Sequence, residues 1–421
     1  MAVCVVGAMV PWYTLRLFPL VTIGGASINL LDALVGVAVL LALPRIFDAI
    51  RHGLPEALWV GAFLLFMTVP FATGMRDPDA AFYALREARA LAFYALALAF
   101  VAGGYRPNDY RAFAAAFAVG ATVAAVAVFA HVEGALKIPG YPDELFKLQG
   151  WTNGVLLVKY LEWITPVVAF LLGLAGVVTA RNRGALAGWT VVSFITAWYI
   201  LATAERFIQG VAGFAALMVV AVSGVRVTRI RPLVVVGVIC LILAALVLGS
   251  VTGGRWISRW ASFGAMRWTL IASDGSLAFR MHEVAASIPL VGRDPVFGIG
   301  LGTRLPTGGP TPGQALSPWH YVSSGYGYLL IRSGVTGLLL FLAMNLWALW
   351  VAWRRVLESR TGVEWPAPMV GAMGLITLLA ADLLHPAVDI PEGVIAFSLF
   401  FAMAVSGNGL CRGQSVGKGD G

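Results

Sequence analysis

The stretch Ser317-Pro-Trp-His320-Tyr-Val-Ser-Ser-Gly-Tyr-Gly-Tyr-Leu-Leu-Ile-Arg332-Ser-Gly-Val-Thr-Gly-Leu-Leu-Leu-Phe341 joins a polar, turn-forming segment to a long apolar run. Pro318 blocks helix continuation, and Ser323 or Ser324 can cap the first N–H groups of the apolar run. The pattern predicts a long apolar helix from about Gly325, with His320 just outside its N-terminus at a membrane boundary. Such a position suits chemistry, because the helix dipole and its N–H groups favour an anion there. A near-neutral imidazole can accept or give a proton. The other reading of the same residue is an interfacial His beside Trp319 and Tyr321 in an aromatic belt.

Working outward, the chain is 59% hydrophobic and only 12% charged over 421 residues, with a mean hydropathy of +0.84. These values exclude a soluble domain and predict an all-α, polytopic membrane protein with a single integral membrane domain over residues 1–421. Apolar runs long enough to span occur at about twelve positions: 4–23, 28–47, 57–73, 83–102, 110–130, 164–180, 186–203, 207–224, 233–250, 325–351, 367–384 and 390–406. The first lacks a basic leader and a cleavage site, so it reads as a retained helix. Alternate connections carry Arg45 and Arg51, Arg106 and Arg111, Arg181 and Arg183, Arg226, Arg229 and Arg231, Arg354, Arg355 and Arg360, then Arg412 and Lys418. By the positive-inside habit these segments are cytoplasmic, as are both termini. The net charge of +8 therefore reads as an orientation signal, and no nucleic-acid partner is expected. Cys4, Cys240 and Cys411 lie too far apart for a disulfide framework or a zinc site. Residues 407–421 read as a disordered, Gly-rich cytoplasmic tail.

Two connections on the opposite side exceed simple turns. The first, 131–163, holds Gly150-Trp-Thr-Asn153. The second, 251–324, holds Arg255, Arg259, Arg267, Arg280, Arg293 and Arg304 against Asp274, Glu283 and Asp294. An excess of cations on that side breaks the topological habit, and an anionic ligand on the outer face accounts for it. Within this loop, 274–288 reads as a short amphipathic helix, followed by a compact turn-rich segment, Pro289 to Gly302. The Gly298-Ile-Gly300-Leu-Gly302 spacing has no preceding strand, which rules out a dinucleotide fold. Charges at membrane depth are costly unless paired or facing a polar cavity. Arg86, Glu87 and Arg89 read as an internal ion pair with snorkelling or as part of a site, and Arg206 as a partner of Glu205 or as part of a site.

Three separated pieces resemble the superfamily of bacterial O-antigen ligases and polysaccharide polymerases. His320 with Gly325-Tyr-Gly-Tyr-Leu-Leu-Ile-Arg-Ser-Gly334-Val-Thr-Gly337-Leu-Leu-Leu-Phe is similar to that family's His-Asn, Tyr-Leu, Gly-x-x-Gly-Leu and Phe series. Phe279-Arg280-Met-His-Glu283 with Pro289-Leu and Gly298-Ile-Gly300-Leu-Gly302 resembles its loop segment. Thr203-Ala-Glu-Arg206-Phe resembles its Thr-x-Ser-Arg-Gly turn, and Gly150-Trp-Thr-Asn153 is less specifically similar to a Gly-Thr-Phe-x-Asn stretch. Tyr321, Glu205 and Phe207 depart from the family's Asn, Ser and Gly.

The resemblance implies a GT-C-like membrane glycosyltransferase in the bacterial inner membrane, with 251–324 periplasmic. It implies transfer of a glycan from an undecaprenyl-diphosphate carrier to an acceptor sugar, either lipid A core or a growing glycan, without metal or cofactor. In that reading His320 is the base, Arg280 and Arg206 hold the diphosphate, and Arg86, Arg89, Arg304 and Tyr321 bind substrate. Ligase and polymerase both remain open, with the basic loop leaning toward a ligase facing the anionic lipid A core. A transporter with an outer anion vestibule is the alternative from another class, and it would place its substrate on broken helices near mid-membrane.

Overall fold

The architecture comes from a computed structural model that describes residues 2–12, 19–23, 26–103, 105, 107–132, 135–138, 151–152, 155–156, 164–180, 182–202, 206–224, 289–303, 324–358, 367–383, 387–388 and 390–406. These residues are mostly helical. The helices are α1 (Ala2–Met9), α2 (Leu30–Arg51), α3 (Pro55–Met75), α4 (Pro78–Ala92), α5 (Ala95–Ala102), α6 (Pro107–Val132) and α7 (Ile164–Thr179). They continue as α8 (Arg183–Ala202), α9 (Arg206–Gly224), α10 (Gly325–Glu358), α11 (Ala367–Ala381) and α12 (Pro391–Val405).

The first expected span is corrected. Over 4–23 the chain forms α1, a 3₁₀ turn at Val10–Trp12 and then a strand, β1 (Pro19–Ile23), paired antiparallel with β2 (Ala26–Asn29). Pro11 cannot sit inside a helix, and Gly24-Gly25 joins β-branched residues that favour a hairpin over a helix. An eight-residue α1 is about 12 Å long, well short of a ~30 Å hydrocarbon core. It packs instead on α6, where Gly7 and Gly120 let the two backbones touch. The fourth expected span is two helices: Phe93 N, Tyr94 N, Leu96 N and Ala97 N donate three residues back, which tightens the chain between α4 and α5. That tightening leaves the Phe93 carbonyl to accept from Ser398 Oγ on α12 at 3.3 Å. A second short hairpin pairs β3 (Trp151–Thr152) with β4 (Val155–Leu156) across Asn153-Gly154, a two-residue hairpin signal.

Among the described residues, four helices are long and apolar enough to cross a membrane: α2, α3, α6 and α10. The same four carry rows of exposed aliphatic side chains, including Leu41 at 75% and Leu65 at 72% exposure, with Val119, Val123, Leu339 and Leu346. They form a greasy outer wall. The shorter apolar helices α7, α11 and α12 lie inside it. Every residue of α12 from Glu392 to Val405 is buried, consistent with a helix that is apolar all round. The backbones of α11 and α12 meet closely at Gly371 and Gly374, where a Cβ would strike Ala404 and Phe400. One end of α10 carries exposed Trp350 and Trp353, with the Arg354 guanidinium 5.1 Å from the Trp350 ring, an aromatic and basic girdle of the kind found at membrane interfaces. From Val335 to Trp353 the exposed apolar row of α10 covers roughly 27 Å, close to one hydrocarbon thickness.

Candidate functional site

The sequence candidates can be sorted by which end of the bundle they occupy. Phe129, near the end of α6, stacks on Trp198, near the end of α8, at 4.9 Å. At the opposite end Phe100 of α5 meets Phe113 of α6 edge-on at 5.3 Å, and the charge of Arg355 in α10 lies close to Tyr110 of α6. The starts of α4, α9 and α10 therefore share one end with the end of α6. Arg86 and Arg89 of α4 and Arg206, the first residue of α9, belong to that end. Arg86 is exposed. Arg89 is half-buried, with Nε 3.9 Å from Asp32 Oδ1 in the first turn of α2. His320, Tyr321, Arg280 and Arg304 lie outside the described residues, as do the expected helix at 274–288, the span at 233–250 and the tail.

Glu87 pairs with neither arginine of its own helix. Its partner is Arg332 of α10, fully buried, whose Nη2 donates to Glu87 Oε1 at 2.8 Å. Arg332 Nη1 donates to the carbonyl of Thr303 at 2.5 Å and reaches that of Gly300 at 3.5 Å. The other carboxylate oxygen of Glu87 accepts from Tyr328 Oη at 3.1 Å and from the Gly302 N–H at 3.0 Å. Two unlike charges removed from water thus keep each other company in a net of hydrogen bonds, the arrangement in which a buried pair is tolerated. Read from the sequence, Glu87 stands beside Arg86 and Arg89, and Arg332 has no role. Their mutual assignment was not legible there, because 245 positions separate them.

The pair clamps a segment that the sequence marked as turn-rich. Residues 295–303 run as irregular backbone between α3, α4 and α10, and α10 is broken at Gly334 (φ 66°, ψ −171°) to receive them. In an unbroken helix Val335 N and Thr336 N would donate to the carbonyls of Ile331 and Arg332. Here they donate to Pro295 O at 2.8 Å and Val296 O at 3.3 Å, while the two vacated carbonyls accept from Ile299 N at 2.9 Å and Gly300 N at 3.2 Å. The segment is spliced into the helix's own ladder. Gly298 makes this approach possible, since a Cβ there would overlap the backbone of Arg332 and Gly334, and its φ of 75° suits glycine. Gly300 and Gly302 meet Gly74 of α3 and Ala84 of α4 in the same way, which is the physical meaning of the Gly-x-Gly-x-Gly spacing.

The start of α10 is built as expected, with Ser324 as cap: Gly327 N donates to Ser324 Oγ at 3.3 Å and Tyr328 N to Ser324 O at 2.8 Å. The expectation that this terminus offers its N–H groups to a ligand is corrected. Gly325 N and Ser324 Oγ both donate to the carbonyl of buried Asp382, at the end of α11, at 2.9 and 3.1 Å. Asp382 Oδ1 in turn accepts from Ala387 N at 2.6 Å. The chain's own acid therefore stands at this helix end, where Asp382 and Ser324 take the N–H groups of Gly325 and Gly327. Among the described residues no cluster of His, Cys, Asp and Glu could hold a metal. No protein-family model matches the chain, and no characterised protein matches it significantly.

Proposed function

We propose that the protein is an integral glycosyltransferase of the bacterial inner membrane, of O-antigen ligase type, moving an undecaprenyl-diphosphate-linked glycan to an acceptor sugar at the periplasmic face. The observation that carries the reading is the order of three motifs: the arginine turn at Arg206, the loop with Arg280 and Gly298-Ile-Gly300-Leu-Gly302, and His320 ahead of a capped helix. It is supported by the gathering of Arg86, Arg89, the start of α9 and the start of α10 at one end of the bundle. In this reading the arginine-rich connections, among them Arg45 with Arg51 and Arg354 with Arg355, face the cytoplasm together with the C-terminal tail. His320 takes the proton of the acceptor hydroxyl as its oxygen bonds to the anomeric carbon and the carbon–diphosphate bond breaks with inversion. Arg280 and Arg206 receive the departing diphosphate by bidentate contacts. Arg332 is given no donor contact in this reading, because Glu87 and two carbonyls take its two Nη groups.

The break in α10 is a feature that a transporter would share. It does not favour that reading, because the inserted segment uses the two N–H and two carbonyl groups that the break releases. The test is turnover by purified protein with a carrier-linked glycan, acceptor and a chelator. His320→Ala is expected to retain donor binding and to lose rate by about 100- to 10,000-fold. The wild-type rate should fall as pH drops below about 6.5, where a His of ordinary pKa is protonated and no longer a base. Normal turnover by His320→Ala would return this residue to the aromatic belt.

A further inference from the structure

Residues 295–303 combine two properties that rarely coexist in a surface loop. Val296 and Phe297 expose 49% and 47% of their surface although both are apolar. Behind them, six consecutive main-chain donors are satisfied: Phe297 N by Asp294 Oδ1 at 3.0 Å, Gly298 N by Asp294 O at 2.9 Å, Ile299 N by Ile331 O at 2.9 Å, Gly300 N by Arg332 O at 3.2 Å, Leu301 N by Pro70 O at 2.9 Å and Gly302 N by Glu87 Oε2 at 3.0 Å. A loop in water has no need of this, since water satisfies its amides. Non-helical backbone at membrane depth is tolerated where protein covers it, and here protein groups take the amides of residues 297 to 302 while the Val296 and Phe297 side chains point outward.

The position agrees. Val296 lies opposite Val335 and Thr336, where the exposed apolar row of α10 begins, and the Phe297 ring stacks on Phe66 of α3 at 6.3 Å. Val296, Phe297, Val335 and Leu339 thus continue the greasy wall made by α3 and α10 across the break. We propose that residues 295–303 are a re-entrant segment whose Val296–Phe297 turn faces the hydrocarbon chains of the bilayer, so that the protein meets lipid through a loop as well as through helices. The inference is independent of the catalytic reading, because neither His320 nor any arginine of the donor site enters it.

The experiment is collision accessibility of a nitroxide on the full chain, with Cys4, Cys240 and Cys411 changed to Ser, reconstituted at one copy per nanodisc of phosphatidylethanolamine and phosphatidylglycerol. Labels at Val296→Cys and Phe297→Cys are compared with Leu339→Cys on the apolar row of α10 and with Asp79→Cys on the exposed polar start of α4. The expected result is oxygen collisions exceeding those with a water-soluble nickel chelate at 296 and 297, as at 339 and opposite to 79. Nickel-dominated collisions at both positions would place the turn in water. Low collisions with both reagents would mean that other protein covers it. Either outcome overturns the proposal. Two labelling positions keep it testable where one variant fails to fold, judged by monodispersity before reconstitution.

Discussion

Arg332 and Glu87 show what a charge costs and what it secures when water is excluded. Removing one partner strands the other, and for a buried pair this costs roughly 3–5 kcal/mol. Arg332→Met is therefore expected to lower the thermal midpoint in detergent sharply. The double variant Arg332→Met with Glu87→Gln should lose much less than the two single changes summed, since the neutral amide can still accept from Tyr328 and Gly302. Additive losses would mean that the two residues act separately. Arg280 is of the opposite kind under the proposed function, where it meets substrate rather than protein. Arg280→Lys should insert and stay monodisperse while transfer drops, because a point charge does not reproduce a planar two-pronged contact. Full activity in that variant would leave Arg280 to a structural pairing with Glu283.

At the scale of elements, the relation between the inserted segment and α10 is a matter of who satisfies whose amides. Gly334 holds the break open with a left-handed φ, and a Cβ there would overlap the carbonyl of Val296. Gly334→Ala is expected to cost at least ~1–3 kcal/mol through backbone strain alone, before any expulsion of the segment. Gly61, in the middle of α3, provides the contrast: among the described residues no atom lies within 4 Å of where its Cβ would stand. Gly61→Ala should be neutral or stabilise by up to ~1 kcal/mol, because alanine is the better helix former. Thermal unfolding of the two variants side by side measures the difference. If both changes behaved alike, the break would carry no structural weight.

For the whole molecule, hydrophobic run length was enough to place α2, α3 and α6 within about four residues of their ends and α10 at its start, while α10 runs on past the expected 351 to Glu358. Ser324 was legible as a cap because serine before an apolar run has few other uses. The first run misled because a mostly apolar stretch, 4–23, outweighed Pro11 and Gly24-Gly25, local signals that decide backbone geometry whatever the hydropathy. The pairing of Glu87 with Arg332, the use of three alternate glycines against three helices, and the claim of Asp382 on the start of α10 are contacts between distant positions, which one sequence cannot rank. Under the proposed function, the arginine pattern predicts the orientation. With a cysteine at Gly309 or Gly419 in a cysteine-free chain, an impermeant maleimide should label position 309 and spare 419 in intact spheroplasts. The reverse pattern would invert the membrane topology and remove the periplasmic site with it.

The burial of α12 on every side also has a meaning in time. Synthesis delivers helices in chain order, and this one comes after all the other helices described. Until it arrives, α5, α10 and α11 have no partner on the faces they will later press against it. The early bundle must therefore wait in the membrane with those faces uncovered, in the keeping of whatever inserts it. A ribosome that stops before Pro391 releases a chain with its outer wall made and its last inner helix missing, a natural substrate for membrane proteases.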